Sequence, residues 1–160
     1  MVKMLRNLKK KIAAIFGKKY ALMVNSGSSA NLLSASALIN PNKKNHLKRG
    51  DKFIIPATCW STSLWPLIQC GLKPEFIDVN INNYCLDESL LRKKNIKKIK
   101  AILDIHILGN SSNIKEISNI AKKNSIFLIE DACEALGSRF GSKYLGTFGD
   151  FGTYSFYYSH

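Results

Sequence analysis

The sequence predicts an α/β fold, a mainly parallel sheet flanked by helices, and three observations carry that expectation. Segments of strand character alternate with segments of helical period along the whole chain. The strand segments at 99–105 (IKAILDI) and 126–129 (IFLI) are nearly continuous apolar runs, as strands buried on both faces are. The second run ends in two adjacent carboxylates, Glu130 and Asp131. Ligands of open α/β sheets are met at the carboxyl ends of strands, so Asp131 stands at a candidate site.

At the start of the chain, Leu5, Leu8, Ile12, Ile15 and Phe16 recur at helical spacing with lysines between them. This predicts an amphipathic helix over 4–16, stopped by Gly17 and packed on the domain. A helix lying on a membrane surface would carry the same pattern. Residues 20–24 (YALMV) read as a short strand, 25–31 (NSGSSAN) as a turn of small residues, and 32–39 as a helix. Strand, small-residue turn and helix make a phosphate cradle, because a helix start offers unpaired N–H groups and the positive end of its dipole. Serine and asparagine ahead of a helix are equally ordinary caps, and these residues alone leave both readings open.

Residues 51–56 (DKFIIP) read as the next strand and 61–70 as the helix after it. Trp60 lies just past that strand's carboxyl end, where a tryptophan either fills the core or offers a flat face to a ring. Trp65, inside the helix, reads as packing, and Gly71 ends the helix. A strand over 74–79, a helix over 88–94, the strand over 99–105 and a helix over 113–123 continue the alternation. The last of these puts Ile114, Ile117, Ile120 and Ala121 on one face. His106, at the end of the 99–105 strand, invites a catalytic reading, but reads rather as structural, or as near the site without chemistry. Beyond Asp131, Gly146, Gly149 and Gly152 punctuate a turn-rich stretch, and 153–157 (TYSFY) reads as a final strand. No repeat, low-complexity segment or domain boundary interrupts the chain.

Composition narrows the function classes. The 160 residues suffice for one domain with a real core. The net charge of +13 suits a polyanionic partner. Its lysines are scattered through helices and loops without a nucleic-acid-binding motif, which favours a solvated surface and no nucleic-acid partner. No apolar stretch approaches the ~20 residues of a membrane span, and no secretory signal is visible, so no membrane partner is expected. Cys59, Cys70, Cys85 and Cys133 show neither a CxxC pair nor zinc spacing, which predicts reduced thiols, no metal site and a cytoplasmic location.

Two stretches carry a family resemblance. IEDACEALGS at 129–138 and GTFGDFGTYSFYYSH at 146–160 resemble the DegT-type sugar aminotransferases, enzymes of the pyridoxal-phosphate fold type I, whose best-known member fold is aspartate aminotransferase-like. The resemblance runs from residues 16–20 to the end of the chain. In most of the family a lysine follows the SF strand and forms a Schiff base with the cofactor. Here that position, five residues after Ser155, is His160. Histidine there resembles the branch of nucleotide-sugar 3-dehydratases, especially those acting on GDP-linked 4-keto-6-deoxymannose. The resemblance further implies that a family member continues well past residue 160. Residues 1–160 would then be a partial cofactor-binding large domain, unable to turn over substrate by themselves.

The resemblance also implies the site. Pyridoxal 5'-phosphate, or its amine form pyridoxamine 5'-phosphate, would be the cofactor. Asp131 would face its ring nitrogen, Trp60 its ring face, and Ser28, Ser29 and Ser155 its phosphate. Glu134 would support Asp131. His160 would be the base that moves the proton at the cofactor's C4′ carbon, a role that the ordinary pKa of histidine suits near neutrality. The partners would be a nucleotide-sugar substrate, an amino donor (glutamate in the GDP-sugar branch) and a second copy in a homodimer. In CDP-sugar relatives a cysteine near Cys133 helps to hold an iron–sulfur cluster, whereas GDP-sugar relatives carry a cysteine there without one. Two other readings stay open: an ordinary nucleotide-sugar aminotransferase, and a non-enzymatic basic binding module.

Overall fold

The computed structural model describes residues 2–158 and contains one five-stranded sheet. The chain runs α1 (Val2–Ile15), α2 (Gly27–Leu38), β1 (Lys52–Pro56), α3 (Ser61–Gln69), β2 (Lys73–Ile77), α4 (Glu88–Lys93), β3 (Ile99–Ile105), α5 (Ile114–Lys123) and β4 (Phe127–Asp131). A small hairpin of β5 (Arg139–Phe140) and β6 (Lys143–Tyr144) follows, and then β7 (Phe151–Thr153). The order across the sheet is β2-β1-β3-β4-β7, and every pairing in it is parallel. Parallel neighbours need crossovers, which α3 supplies between β1 and β2 and α5 between β3 and β4.

The two faces of the sheet bury separate cores. Ile54, Ile102 and Leu128 point to the side packed by Leu91 of α4 and by Ile114, Ile117 and Ala121 of α5. Phe53, Ile55, Leu103 and Ile129 point to the other side, against Ala35 and Leu38 of α2 and Leu67 of α3. The alternation inside apolar runs therefore sorts side chains between two dry layers rather than between core and water. Capping follows sequence. Asp87 accepts from Ser89 N at 2.8 Å to open α4, and Asn113 accepts from Glu116 N to open α5.

The structure corrects the sequence reading in several places. Residues 20–24 form no strand among the described residues; an apolar run becomes a strand only beside a neighbour. Helix α2 begins at Gly27, earlier than expected, because Ser26 Oγ accepts from Ser29 N at 3.1 Å and caps it there. The last strand is 151–153, not 153–157: β4 ends at Asp131, whose partner is Thr153, so nothing remains for 154–157 to pair with on that side. Trp65 is 55% exposed, which overturns its reading as packing. Among the residues of helix α1 whose burial is described, packing is through the carboxyl end. Ala13 is buried, and Phe16, just past the helix, stacks on Tyr154 at 4.5 Å, while Met4 and Leu8 face outward. No helix among the described residues is long and apolar enough to cross a membrane.

Candidate active site

The carboxyl end of β4 is the centre of the site. In register, Glu130 pairs with Asp104 and Asp131 with Ile105, so consecutive carboxylates go to opposite faces of the sheet. Asp131 turns to the α2–α3 side and is 4% exposed. Its Oδ2 accepts from Asn31 Nδ2 of α2 at 2.7 Å and from Ser63 Oγ of α3 at 2.8 Å. Its Oδ1 accepts from Cys133 N at 3.1 Å. Thr153 Oγ1 of β7 donates to Asn31 Oδ1 at 2.7 Å, which fixes the orientation of the amide that serves Asp131. Burial of a carboxyl group is tolerable when hydrogen bonds to it are made in this way.

The start of α2 lies beside this carboxylate. The first backbone bond of the helix runs from Ala30 N to Ser26 O, so the N–H groups of Gly27, Ser28 and Ser29 precede it. That of Ser29 is taken by Ser26, and those of Gly27 and Ser28 head the helix. Gly27 itself is enclosed. A Cβ there would come 2.8 Å from Cys133 Sγ and 3.9 Å from Ser155 Cβ. Cys133 and Ser155 thus close around the helix start, with Ser155 Oγ accepting from Tyr157 N at 3.1 Å. Burial, and then the charge of Asp131 beside it, push the Cys133 thiol far up, so it stays protonated.

Of the residues singled out in the sequence, the structure brings Ser28, Ser29, Asp131 and Ser155 to one place. Trp60 stands at the start of α3, whose Ser63 touches Asp131, and its side chain is 72% exposed. Nothing in the core requires an indole there. Glu134 accepts from Leu108 N at 2.8 Å, in the turn that follows β3, and its hydrogen bond goes there rather than to Asp131. His160 lies outside the described residues. His106 is wholly buried on the opposite face of the sheet.

Three members of the constellation were missed. Asn31 closes the SGSSAN stretch but was given no role. Ser63 lies three residues past Trp60, one helical turn on. Thr153 was read only as the start of a strand. For Asn31 the signal was available: a polar side chain one turn into an apolar helix needs a buried partner.

Comparison with known proteins places this geometry. Residues 2–160 match the DegT/DnrJ/EryC1/StrS aminotransferase family, and the chain belongs to that family. GDP-4-keto-6-deoxy-D-mannose 3-dehydratase of Escherichia coli O55:H7 is 47% identical over 148 residues, 92% of this chain and 38% of the relative. The protein of the same name from Yersinia pseudotuberculosis is 42% identical over 155 residues, 97% of this chain and 39% of the relative. A crystal structure of a histidine-to-asparagine mutant of GDP-4-keto-6-deoxymannose-3-dehydratase, with bound GDP-perosamine, superposes with a TM-score of 0.93 at 44% identity. It covers 99% of this chain and 41% of that one. The Escherichia coli enzyme with bound hydrated PLP gives 0.92 at 45% identity, covering 98% and 40%. The fold is therefore that of the fold type I pyridoxal-phosphate enzymes, as expected. The chain spans about two fifths of the length of the curated relatives it matches.

Proposed function

We propose that this chain supplies the cofactor-binding half-site of a nucleotide-sugar 3-dehydratase, within the large domain of a longer protein. The observation that carries the reading is the placement of Asp131: a buried carboxylate held by Asn31 and Ser63 within reach of the start of α2. The residues fit a phosphorylated pyridine. Asp131 Oδ2 accepts from two side-chain donors and Oδ1 from Cys133 N at 3.1 Å, so a buried, fixed carboxylate is offered to a ring N–H. The enclosed Gly27 gives backbone N–H groups to a phosphate where any Cβ would collide with Cys133.

Pyridoxamine 5'-phosphate, when bound, supplies an amine for the substrate's C4 ketone and a ring that accepts electrons. Asp131 holds the ring nitrogen protonated. Ser28, Ser29, Ser155 and the first N–H groups of α2 would hold the phosphate, and Trp60 would cover a ring face. His160 would move the proton at the C4′ carbon, the proton transfer that loss of the C3 hydroxyl of a 4-keto-6-deoxy sugar requires. Overall the C3–O bond is broken, and the two electrons come from glutamate, which leaves as its 2-oxo acid with release of ammonia. The reaction type is supported by His160 in YYSH, where the Schiff-base lysine of the wider family would stand, and by the likeness to two 3-dehydratases at 47% and 42% identity.

The partners in this reading are a GDP-linked 4-keto-6-deoxyhexose, glutamate and a second copy of the protein. The exposed Leu22 and Met23 suit such an apolar contact. Four cysteines that form no disulfide suit a cytoplasmic setting. The experiment is glutamate-dependent ammonia release with GDP-4-keto-6-deoxymannose, for the natural protein and for His160→Lys. Ammonia release that His160→Lys abolishes supports dehydration. Faster dehydration by His160→Lys overturns the histidine-base reading, and borohydride-trapped pyridoxal phosphate on a lysine of the natural protein makes it an aminotransferase.

A further inference from the structure

The sheet face opposite Asp131 carries a second ionisable group of residues that the proposed chemistry does not use. Asp104, His106 and Glu130 are wholly buried there. Glu130 is a hub. Its Oε1 accepts from Phe148 N at 2.6 Å and Gly149 N at 2.7 Å, and its Oε2 from Gly146 N at 2.8 Å. His106 Nε2 lies 3.0 Å from the same Oε2. Four donors fill the roughly four lone-pair sites of a carboxylate. Glu130 has nothing to give, so the proton of this pair lies on His106 Nε2. The backbone N–H of His106 meanwhile donates to Asp131 O at 3.0 Å. One residue is thus tied to both carboxylate positions at the end of β4.

From Glu130 the contacts lead to the reaction site. The turn it gathers, 146–149, lies against β7 so tightly that a Cβ on Gly152 would overlap the Gly146 carbonyl. Tyr154 OH donates to Leu145 O at 2.7 Å. Thr153 holds Asn31, and Asn31 holds Asp131. Ser155 stands at the start of α2, and His160 follows five residues later. The groups that face His106 are Asp104 on its own strand and Glu130 on the next, with Asp131 across the sheet. Lys18, which donates to Thr147 O at 2.8 Å, binds the outer side of the turn.

We propose that His106 is a positioning residue for the reaction read above: through Glu130 it sets the 146–149 turn, and with it β7 and the approach of the segment that carries Ser155 and His160. This rests on the proposed function for its kinetic consequence, though not for its structural one. A donor at the Nε2 position is what the turn requires, and the remainder of the imidazole is not.

The test uses the whole protein with its cofactor and compares His106→Gln, which keeps an N–H donor, with His106→Phe, which does not. In His106→Phe, kcat for dehydration should fall on the order of ten-fold or more, as small displacements of a reacting group do. KM for the nucleotide sugar should stay within about two-fold, because this face touches no substrate. His106→Gln should restore most of kcat. In the cofactor-free protein, the amides of Phe148 and Gly149 should lose hydrogen-exchange protection in His106→Phe and keep it in His106→Gln. If His106→Phe does not fold, Glu130→Gln takes its place, with the same split between kcat and KM expected. An unchanged kcat, full protection of those amides, or a His106→Gln as impaired as His106→Phe overturns the proposal. Absence of dehydration by the natural protein would instead refute the proposed function, and the amide result would still decide the role of His106.

Discussion

Asn31 Nδ2 donates to Asp131 Oδ2 over 2.7 Å, and this bond joins α2 to the end of β4 across one hundred residues of chain. The amide cannot flip, because its oxygen already accepts from Thr153. Replacing Asn31 by aspartate keeps the shape and sets two carboxylates at hydrogen-bond distance in a buried place. One of them must then take up a proton. We expect Asn31→Asp to weaken cofactor binding by at least about ten-fold and to lower the melting temperature by several degrees, as loss of a buried charged hydrogen bond does. Absorbance titration and a thermal melt measure the two effects.

Trp60 separates binding from folding. Its indole is largely exposed, so Trp60→Ala should change stability by no more than about 0.5 kcal/mol, the usual range for surface positions. Cofactor affinity should nevertheless fall, on the order of ten-fold, with the loss of the stacking face. Equal affinity in the two proteins would show that Trp60 does not cover the ring.

The close approach at Gly152 gives a packing prediction. A methyl group there meets backbone, the Gly146 carbonyl, which has no rotamer with which to yield. Gly152→Ala should therefore lower stability by roughly 2 kcal/mol or more, in the range of strained or overpacked sites. Gly141→Ala on the outer hairpin meets nothing within 4 Å and, although its φ of 61° also favours glycine, should cost about 1 kcal/mol. Urea unfolding of both variants tests the ranking.

A pH dependence follows from the buried group on the far face. Burial raises the Asp104 carboxyl from its ordinary 3.8 to about 6, against the opposing charge of His106 and the hydrogen bond from Ser112. The folded state therefore favours the neutral acid. The stability this proton contributes is complete below about 4 and is lost as the pH rises through 6. Burial draws His106 down, but Glu130 and Asp104 outweigh it and raise its pKa, so its contribution is likewise lost on the alkaline side of 6.5. Asp104→Asn is neutral throughout. Its urea midpoint should gain on that of the natural protein between pH 4 and 6.5. Half-buried Glu75 and Asp87, whose depressed values act in the opposite sense, cancel in the comparison.

The alternation of strand and helix was legible because each apolar run has the length and period of its element. The runs at 99–105 and 126–129 lie in adjacent parallel strands of the sheet. The limits of pairing were not legible. Residues 20–24 have the composition of a strand, and TYSFY looks more strand-like than FGT, yet only the latter lies beside β4. Pairing is decided by a neighbour distant in sequence, which local pattern does not encode. The same holds for the site. Asp131 was readable as a carboxylate ending a buried run, whereas Ser63 and Thr153 matter only through the strand and helix that carry them to it. Glu130, adjacent to Asp131, was seen as half of a charged pair; the pleat makes it an anchor on the other side.

The tie between Asn31 and Asp131 also bears on synthesis. Ribosomes add about 5–20 residues per second, so the hundred residues between these two take on the order of 5–20 s to appear. Throughout that interval α2 has an amide without its carboxylate, and the site's two halves exist only one at a time. The helix that heads the cradle must therefore wait in the nascent chain for β4, and it is the early-made portion of the protein that a chaperone would have most reason to hold.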